Sequence, residues 1–152
     1  ETTRNWPQKG INIERFVAEP GRAICGPAGV LATSVIGKAQ RSDSYWVFLD
    51  CGVFHGMMET IDGIEYPVYT DKQGPMEEVM LCGPSCDAVD KMYKVALPDL
   101  ETGDRVYFGA AGSYSTVYSS HFNSFASPEI QFIDQDEWSF FEAFTTTQLT
   151  MS

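Results

Sequence analysis

Short apolar runs, each closed by a Gly, Pro or Asp turn, recur along this chain. Their β-branched and aromatic content is typical of β-strands, and only Ala88 to Tyr93 looks helical. Such a series of strands indicates a mainly β domain with an antiparallel, Greek-key-like barrel or sandwich fold. The pattern predicts strands at Ile11 to Ala18, Val30 to Ala39, Tyr45 to Asp50, Tyr66 to Thr70, Glu78 to Cys82, Asp104 to Phe108, Tyr114 to Tyr118 and Ile130 to Ile133.

Composition narrows the class of protein. The 152 residues suit one domain, or one domain plus a fragment of another, and 43% hydrophobic residues suffice for a real core. A net charge of −11 argues against nucleic acid and anionic membranes as partners. No apolar run approaches the roughly 20 residues of a membrane helix, and four cysteines do not make a dense disulfide framework. We therefore expect a reducing, cytoplasmic setting.

The stretch Gly83-Pro84-Ser85-Cys86-Asp87 places a thiol beside a carboxylate at a Gly-Pro turn, where both can reach a ligand. Asp87 could anchor a substrate ammonium, and Cys86 could act as a nucleophile or proton donor. An equally good interpretation from spacing alone is a small buried Cys beside a helix-capping Asp.

A second stretch, Glu19-Pro20-Gly21-Arg22, follows the first predicted strand. Its carboxylate and guanidinium could bind opposite ends of one polar molecule, and an arginine fork suits phosphate. The motif alone fits an ordinary surface ion pair better.

Metal binding is a weaker hypothesis. The pairs Cys51/His55 and Cys82/Cys86 could together supply four zinc ligands, but they lie on different elements and lack a Cys-x2-Cys knuckle. We predict no metal. His55 and His121 fit loop or core positions better than the role of general base.

Five stretches in this order resemble the C-terminal part of the fold-type III pyridoxal 5′-phosphate decarboxylases, which act on ornithine, lysine, diaminopimelate or arginine. Residues 59–62 and 66–67 resemble the bacterial ornithine/lysine branch most. The five stretches are Glu19 to Arg22, Phe48 to Phe54, Gly83 to Asp87, Leu97-Pro98 with Gly103-Asp104, and Gly112 to Tyr114 followed by Phe122 to Phe125.

The resemblance implies a role for each matching residue. Glu19 would pair with the cofactor's pyridine nitrogen, while Gly21, Arg22 and Tyr114 would form the phosphate site. Cys86 would protonate the carbanion left by decarboxylation. The substrate residues would be Asp87 and Asp62, as acids for the distal ammonium, and Phe125, which would line the pocket.

The family's cofactor lysine lies on an early strand of a (β/α)₈ barrel, and Lys9 is too close to the glutamate motif to be that lysine. The resemblance therefore implies a barrel polypeptide that carries the lysine, and a homodimer-like assembly with shared active sites. On this interpretation residues 1–29 hold the last barrel strand and the phosphate loop. Residues 30–133 form the β-domain, and residues 134–152 form an acidic, aromatic tail that docks.

The function that follows is pyridoxal-phosphate-dependent decarboxylation of a basic amino acid, ornithine or lysine, to a diamine and CO2. The alternative hypothesis is a catalytically inactive, decarboxylase-like regulatory or interaction subunit. The presence or absence of a barrel chain with its lysine distinguishes the two hypotheses.

Overall fold

A computed structural model describes residue 15 and residues 17–41, 44–134 and 136–139 of the chain. The predicted barrel strand Ile11 to Ala18 lies largely outside the described residues, and so does most of the tail from Asp134 onward. The proposed division at residues 29/30 and 133/134 therefore stays a prediction.

The described part is mainly β. One short helix, α1 (Arg22–Cys25), precedes six strands. The strands are β1 (Leu31–Arg41), β2 (Ser44–Leu49), β3 (Val68–Tyr69), β4 (Glu77–Cys82), β5 (Lys91–Leu97) and β6 (Arg105–Phe108). The 3₁₀ turns span Gly26–Ala28, Val53–His55, Met58–Asp62, Thr116–Tyr118 and Phe122–Ser124.

All six strands belong to one sheet, in the order β3-β6-β1-β2-β4-β5, which forms a nearly closed barrel. Neighbouring strands are antiparallel except β2 and β4, which run parallel, with Tyr45 opposite Val79. The predicted mainly β barrel is confirmed, with this one parallel pair as a departure. A parallel pair needs a crossover connection, and residues 50–76, which include β3, supply it.

The core fills the inside of the barrel. On β2, buried Val47 and Leu49 alternate with half-buried Trp46 and Phe48, which face the other side. On that outer side the Arg41 guanidinium lies 4.7 Å from the Trp46 ring centroid. The fully buried side chains include Val35, Leu49, Val53, Met57, Leu81, Leu97, Leu100, Val106 and Phe108. Because side chains alternate between the two faces of a strand, the apolar face points into the barrel, as the sequence pattern predicts.

Five predicted strands are confirmed: those in residues 30–39, 45–50, 66–70, 78–82 and 104–108. The helix predicted at Ala88 to Tyr93 is wrong, because the chain turns there and β5 begins at Lys91. The turn is closed by the Asp90 N–H, which donates to the Asp87 carbonyl at 3.0 Å, and the Gly83 N–H then pairs with the Asp90 carbonyl at 2.9 Å. This pairing extends the β4–β5 ladder in place of a helix.

Two predicted strands are also wrong. The Tyr114 to Tyr118 segment contains a 3₁₀ turn, because Tyr114 has a positive φ of 56° and the Ser115 hydroxyl donates to the Ala111 carbonyl. The Ile130 to Ile133 segment is not a strand, and Phe132 is 94% exposed. Apolar content alone does not make a strand without a partner strand to complete its hydrogen bonds.

No helix in the described ranges is long and apolar enough to cross a membrane.

Candidate active site

Arg22 lies at the start of α1, directly after the Gly21 turn, whose carbonyl accepts from the Ile24 and Cys25 N–H groups at 2.9 and 3.1 Å. The Arg22 guanidinium donates through Nη2 to Glu59 Oε2, and the Tyr66 hydroxyl donates to the same oxygen at 2.8 Å. The rings of Tyr66 and Tyr114 lie 5.5 and 5.6 Å from the Arg22 Cζ atom. The ion pair with Glu59 and the two aromatic rings thus fix the orientation of the Arg22 guanidinium. We call Arg22, Glu59, Tyr66 and Tyr114 the Arg22 cluster.

Protonation follows from the same contacts. The hydrogen bond to Glu59 raises the pKa of the Arg22 guanidinium above its ordinary value. Burial, and then the Glu59 carboxylate, raise the pKa of the Tyr66 hydroxyl. Arg22 is therefore charged, and Tyr66 is a neutral hydrogen-bond donor, at physiological pH.

Glycine lets the Tyr114 segment approach α1. A side chain at Gly112 would collide with the Cys25 carbonyl, and the Gly112 N–H donates to the Gly26 carbonyl at 3.0 Å. The next residue, Ser113, has a buried hydroxyl that lacks a hydrogen-bond partner among the described residues. A Cβ on Gly21 would lie 3.8 Å from the Tyr114 hydroxyl. The structure therefore brings Gly21, Arg22 and Tyr114 together, with two hydroxyls and a cation available to an anion.

The second site element is the loop after β4. Gly83, Pro84 and Ser85 are buried, whereas Cys86 and Asp87 are exposed. This excludes the interpretation of Cys86 as a small buried side chain. One Asp87 carboxylate oxygen accepts from the Val89 N–H at 2.8 Å, which makes a local turn and no helix cap. The thiol and carboxylate are thus both displayed at the surface.

Cys86 adopts a left-handed backbone conformation, with φ 59°. For a residue that carries a Cβ this conformation costs about 1–2 kcal/mol, so the surroundings must hold it.

Asp90 supplies part of that support. It is 3% exposed, and its carboxylate accepts from the Val53 N–H at 2.8 Å and the Ser85 N–H at 2.9 Å. A side chain at Gly52 or Gly83 would collide with this carboxylate. Asp90 therefore ties the loop after β4 to the loop after β2.

The segment 119–125 packs beside both loops. The Asn123 side-chain amide donates to the Ser85 carbonyl at 2.9 Å. The Phe122 ring stacks on Phe54 with centroids 4.1 Å apart, and the Ser120 N–H donates to the Phe54 carbonyl at 2.8 Å. Phe125 meets the buried His55 ring edge-on at 5.6 Å and remains 38% exposed.

The contacts therefore divide the predicted site residues into two groups. Gly21, Arg22 and Tyr114 meet in the first, and Cys86 and Asp87 lie on the loop of the second, with the segment that carries Phe125 bonded to it. Glu19 is exposed on the chain leading to α1. Asp62 is exposed at the end of the 3₁₀ turn that begins beside Glu59.

Two of the other thiols, those of Cys51 and Cys82, are buried, whereas Cys86 is exposed. Burial raises the pKa of Cys51 to about 12 and that of Cys82 to about 11. Both are therefore poor nucleophiles at neutral pH. In the described ranges no group of three or more His, Cys, Asp and Glu side chains is placed to hold a metal ion.

Sequence reasoning missed three residues of these groups. Glu59 and Asn123 lie in stretches that carry the resemblance, which implies no role for either of them, and Asp90 lies in the segment predicted as a helix. The sequence signal for Asp90 is a carboxylate that follows the Gly83-Pro84 turn closely. A glycine has no side chain and so leaves room for a buried carboxylate.

Comparison with known proteins gives the family. Residues 22–112 match the model described as pyridoxal-dependent decarboxylase, C-terminal sheet domain. The chain belongs to this family, and its resemblance to the fold-type III decarboxylases is confirmed.

Individual relatives agree. The lysine/ornithine decarboxylase of Selenomonas ruminantium is 40% identical over an alignment of 125 residues that covers 79% of this chain and 31% of that protein. Ornithine decarboxylase 2 of Drosophila melanogaster is 31% identical over an alignment of 138 residues that covers 84% of this chain and 34% of that protein. The structure of a Vibrio vulnificus lysine/ornithine decarboxylase with cadaverine superposes with a TM-score of 0.72 at 35% identity, over 77% of this chain and 33% of that one. The chain spans about a third of the length of these relatives.

Proposed function

We propose that this chain is the C-terminal domain of a pyridoxal-phosphate-dependent decarboxylase that converts lysine or ornithine to its diamine and CO2. The family and the names of its relatives support this reaction class. The observation that carries the proposal is the exposed pair Cys86 and Asp87, displayed on a loop whose base is buried and hydrogen-bonded. A thiol beside a carboxylate suits proton delivery to a substrate that also carries a distant positive charge.

The Arg22 cluster fits the cofactor's phosphate. The Arg22 guanidinium, the Gly21 main chain and the Tyr114 hydroxyl lie together, and the buried Ser113 hydroxyl beside them has no partner within the described residues. These donors would hold the phosphate, and Glu19 would bind the pyridine nitrogen. When bound, pyridoxal phosphate supplies an electron sink for the pair released as CO2 leaves.

The chain's own residues then select and protonate the substrate. The Asp87 carboxylate binds the distal ammonium, with Asp62 as a second acid, and Phe125 lines the pocket. The Cys86 thiol gives its proton to the carbon that has lost CO2 and leaves a thiolate. A basic substrate is favoured because both of the acids are exposed and able to meet a cation.

The whole enzyme needs more than this chain. The barrel polypeptide supplies the cofactor lysine and the neighbouring strands for the strand predicted at residues 11–18, and two copies of the assembly share their active sites. Exposed apolar side chains at Tyr114, Val117 and Tyr118 support such a partner surface. Residues 30–133 act as the β-domain. Four free cysteines suit a cytoplasmic setting.

Substitution of Asp87 tests the proposal in the assembled, cofactor-loaded enzyme. We expect Asp87→Ala to raise KM for lysine or ornithine by about 30-fold, because a charged hydrogen bond contributes on the order of 2 kcal/mol. Glu101→Ala is the matched control, since it removes an exposed carboxylate from a different turn, the one before β6. Steady-state kinetics of both variants gives the answer.

An unchanged KM in Asp87→Ala removes Asp87 from the substrate site. A loaded assembly that turns over neither amino acid contradicts the decarboxylase and favours the regulatory subunit.

A further inference from the structure

Three hydrogen bonds meet at Ser85, the residue that precedes Cys86. Its N–H donates to Asp90 at 2.9 Å, its carbonyl accepts from the Asn123 amide at 2.9 Å, and its hydroxyl accepts from the Asp87 N–H at 3.4 Å. Ser85 is 4% exposed. The peptide on each side of Ser85 is therefore fixed by a separate side chain, Asp90 on one side and Asn123 on the other. We call these two side chains the Ser85 clamp.

The clamp acts next to an unfavourable backbone conformation. Cys86 has φ 59°, and a left-handed residue with a Cβ persists only where its neighbours determine its position. The Asn123 amide donates to the carbonyl of the peptide that joins Ser85 to Cys86. Rotation of that peptide, which would let Cys86 relax, must break this bond.

The side chain of Asn123 comes from a well-anchored segment. Phe122 stacks on Phe54, and the Ser120 hydroxyl donates to the Phe54 carbonyl at 3.0 Å. Asp90 in turn holds Val53, the residue before Phe54. The clamp thus joins the loops after β2 and β4 and the 119–125 segment into one unit around residues 85 and 86.

We propose that Asn123 and Asp90 are positioning residues that hold Cys86 in its left-handed conformation and so direct its thiol at the substrate. The role of the thiol rests on the proposed function, whereas the control of its geometry does not. Neither residue touches the reacting atoms in this scheme.

Thiol alkylation of the purified protein tests the clamp. Asn123→Gly is the informative variant, because Asn123 has φ 53° and glycine adopts that conformation without strain. Ser124→Gly is the matched control: Ser124 has φ 66°, so both variants place glycine in a left-handed position, but the side chain lost from Ser124 is not part of the clamp. The probe is iodoacetamide, with the rate at each cysteine followed by mass spectrometry.

The chain contains its own references. Cys25 is exposed like Cys86, and Cys51 and Cys82 are buried, so their labelling reports unfolding. We expect Asn123→Gly to shift the Cys86:Cys25 rate ratio by about threefold or more, because the thiol's accessibility follows its backbone. The ratio in Ser124→Gly should equal that of the native protein, and Cys51 and Cys82 should remain unlabelled in both variants.

Two further results complete the test. In the assembled enzyme, Asn123→Gly should lower kcat by about tenfold, and KM should rise far less than in Asp87→Ala, because the proton donor is misplaced while the Asp87 carboxylate is kept. If labelling of Cys51 and Cys82 shows that Asn123→Gly does not fold, Asn123→Asp replaces it, because an aspartate of the same shape cannot donate to the Ser85 carbonyl.

A native Cys86:Cys25 ratio in a folded Asn123 variant overturns the clamp, whatever the turnover. A shifted ratio with native kcat supports the clamp and removes Cys86 from the proton-transfer step of the proposed function.

Discussion

The loop after β4, here called the Cys86 loop, and the Arg22 cluster are both organised by a carboxylate, but the two carboxylates accept from different kinds of donor. Asp90 is buried and accepts from two main-chain N–H groups, those of Val53 and Ser85. The Glu59 side chain is 18% exposed and accepts from two side chains, those of Arg22 and Tyr66. A carboxylate bonded to main chain fixes a loop before any ligand arrives. A carboxylate that accepts from side chains, as Glu59 does from Arg22, leaves other N–H groups of the guanidinium able to bind an incoming anion.

The difference suits the two proposed tasks. A proton donor requires a fixed position relative to the carbon it protonates. A phosphate site tolerates exchange of partners, because Arg22 has five N–H donors and Glu59 occupies only part of them. Substitutions at three carboxylates, Asp90, Glu59 and Asp104, separate the effects of burial, main-chain donors and charge.

The largest effect is expected at Asp90. We expect Asp90→Asn to lower the free energy of unfolding by about 3 kcal/mol, because the amide can accept from one main-chain N–H but turns its own NH2 toward the other. Urea unfolding at neutral pH measures this loss. Asp87→Asn is the control: Asp87 is the exposed carboxylate of the same loop and accepts only locally, so we expect a loss below about 1 kcal/mol. Equal losses in the two variants would contradict the central role of Asp90.

The intermediate effect is expected at Glu59, where charge and orientation can be separated. Glu59→Gln keeps an acceptor for Arg22 and Tyr66 but removes the negative charge beside the proposed phosphate. We expect it to tighten pyridoxal phosphate binding in the assembled enzyme by about fivefold, the scale of a partly exposed charge interaction. Glu59→Ala loses the acceptor as well and should weaken binding. Titration by visible absorbance measures both.

Pyridoxal without its phosphate is the control ligand for Glu59. Its affinity should be the same in the native enzyme and in Glu59→Gln. An equal gain for both ligands would mean that the Arg22 cluster does not hold the phosphate.

The barrel could be predicted from the sequence because its strands carry local signals. Val47 and Leu49 alternate with Trp46 and Phe48, and Gly103 marks the turn before β6, with φ 98°. The parallel pairing of β2 with β4 could not be predicted, because it depends on which strands meet across the 50–76 connection. The segment at Ile130 to Ile133 has the same local composition as a strand but lacks a partner strand in the described part of the chain.

In the candidate site, too, only local features could be predicted from the sequence. The exposed pair Cys86 and Asp87 follows from a Gly-Pro turn, which is a local feature. The Asp90–Val53 and Asn123–Ser85 contacts join residues 37 and 38 positions apart, and the Arg22–Glu59 pair joins residues 37 apart. No periodicity records such contacts, because they arise only when separate loops pack together.

The smallest effect is expected at Asp104, which combines a main-chain donor with partial exposure. Its carboxylate accepts from the Glu101 N–H at 2.7 Å and pairs with Lys72 at 3.2 Å, and its side chain is 20% exposed. The Glu101 N–H, and then Lys72, lower the pKa of Asp104. A lowered folded-state pKa contributes stability that is present above the unfolded value, about 3.9, and is lost as the pH falls through the folded value.

We therefore expect Asp104→Asn to cost less than about 1 kcal/mol at pH 7, with a difference from the native protein that shrinks as the pH falls below about 4. Urea unfolding at pH 7, 5 and 3 measures the trend. Glu101→Gln is the matched control, because the bond to Asp104 uses the main chain of residue 101 and survives the change. A loss as large as that of Asp90→Asn would show that main-chain donors alone, without burial, make a carboxylate a strong anchor. A small, pH-dependent loss assigns the strength of Asp90 to its burial together with its second main-chain donor, and with them the fixed geometry of the Cys86 loop.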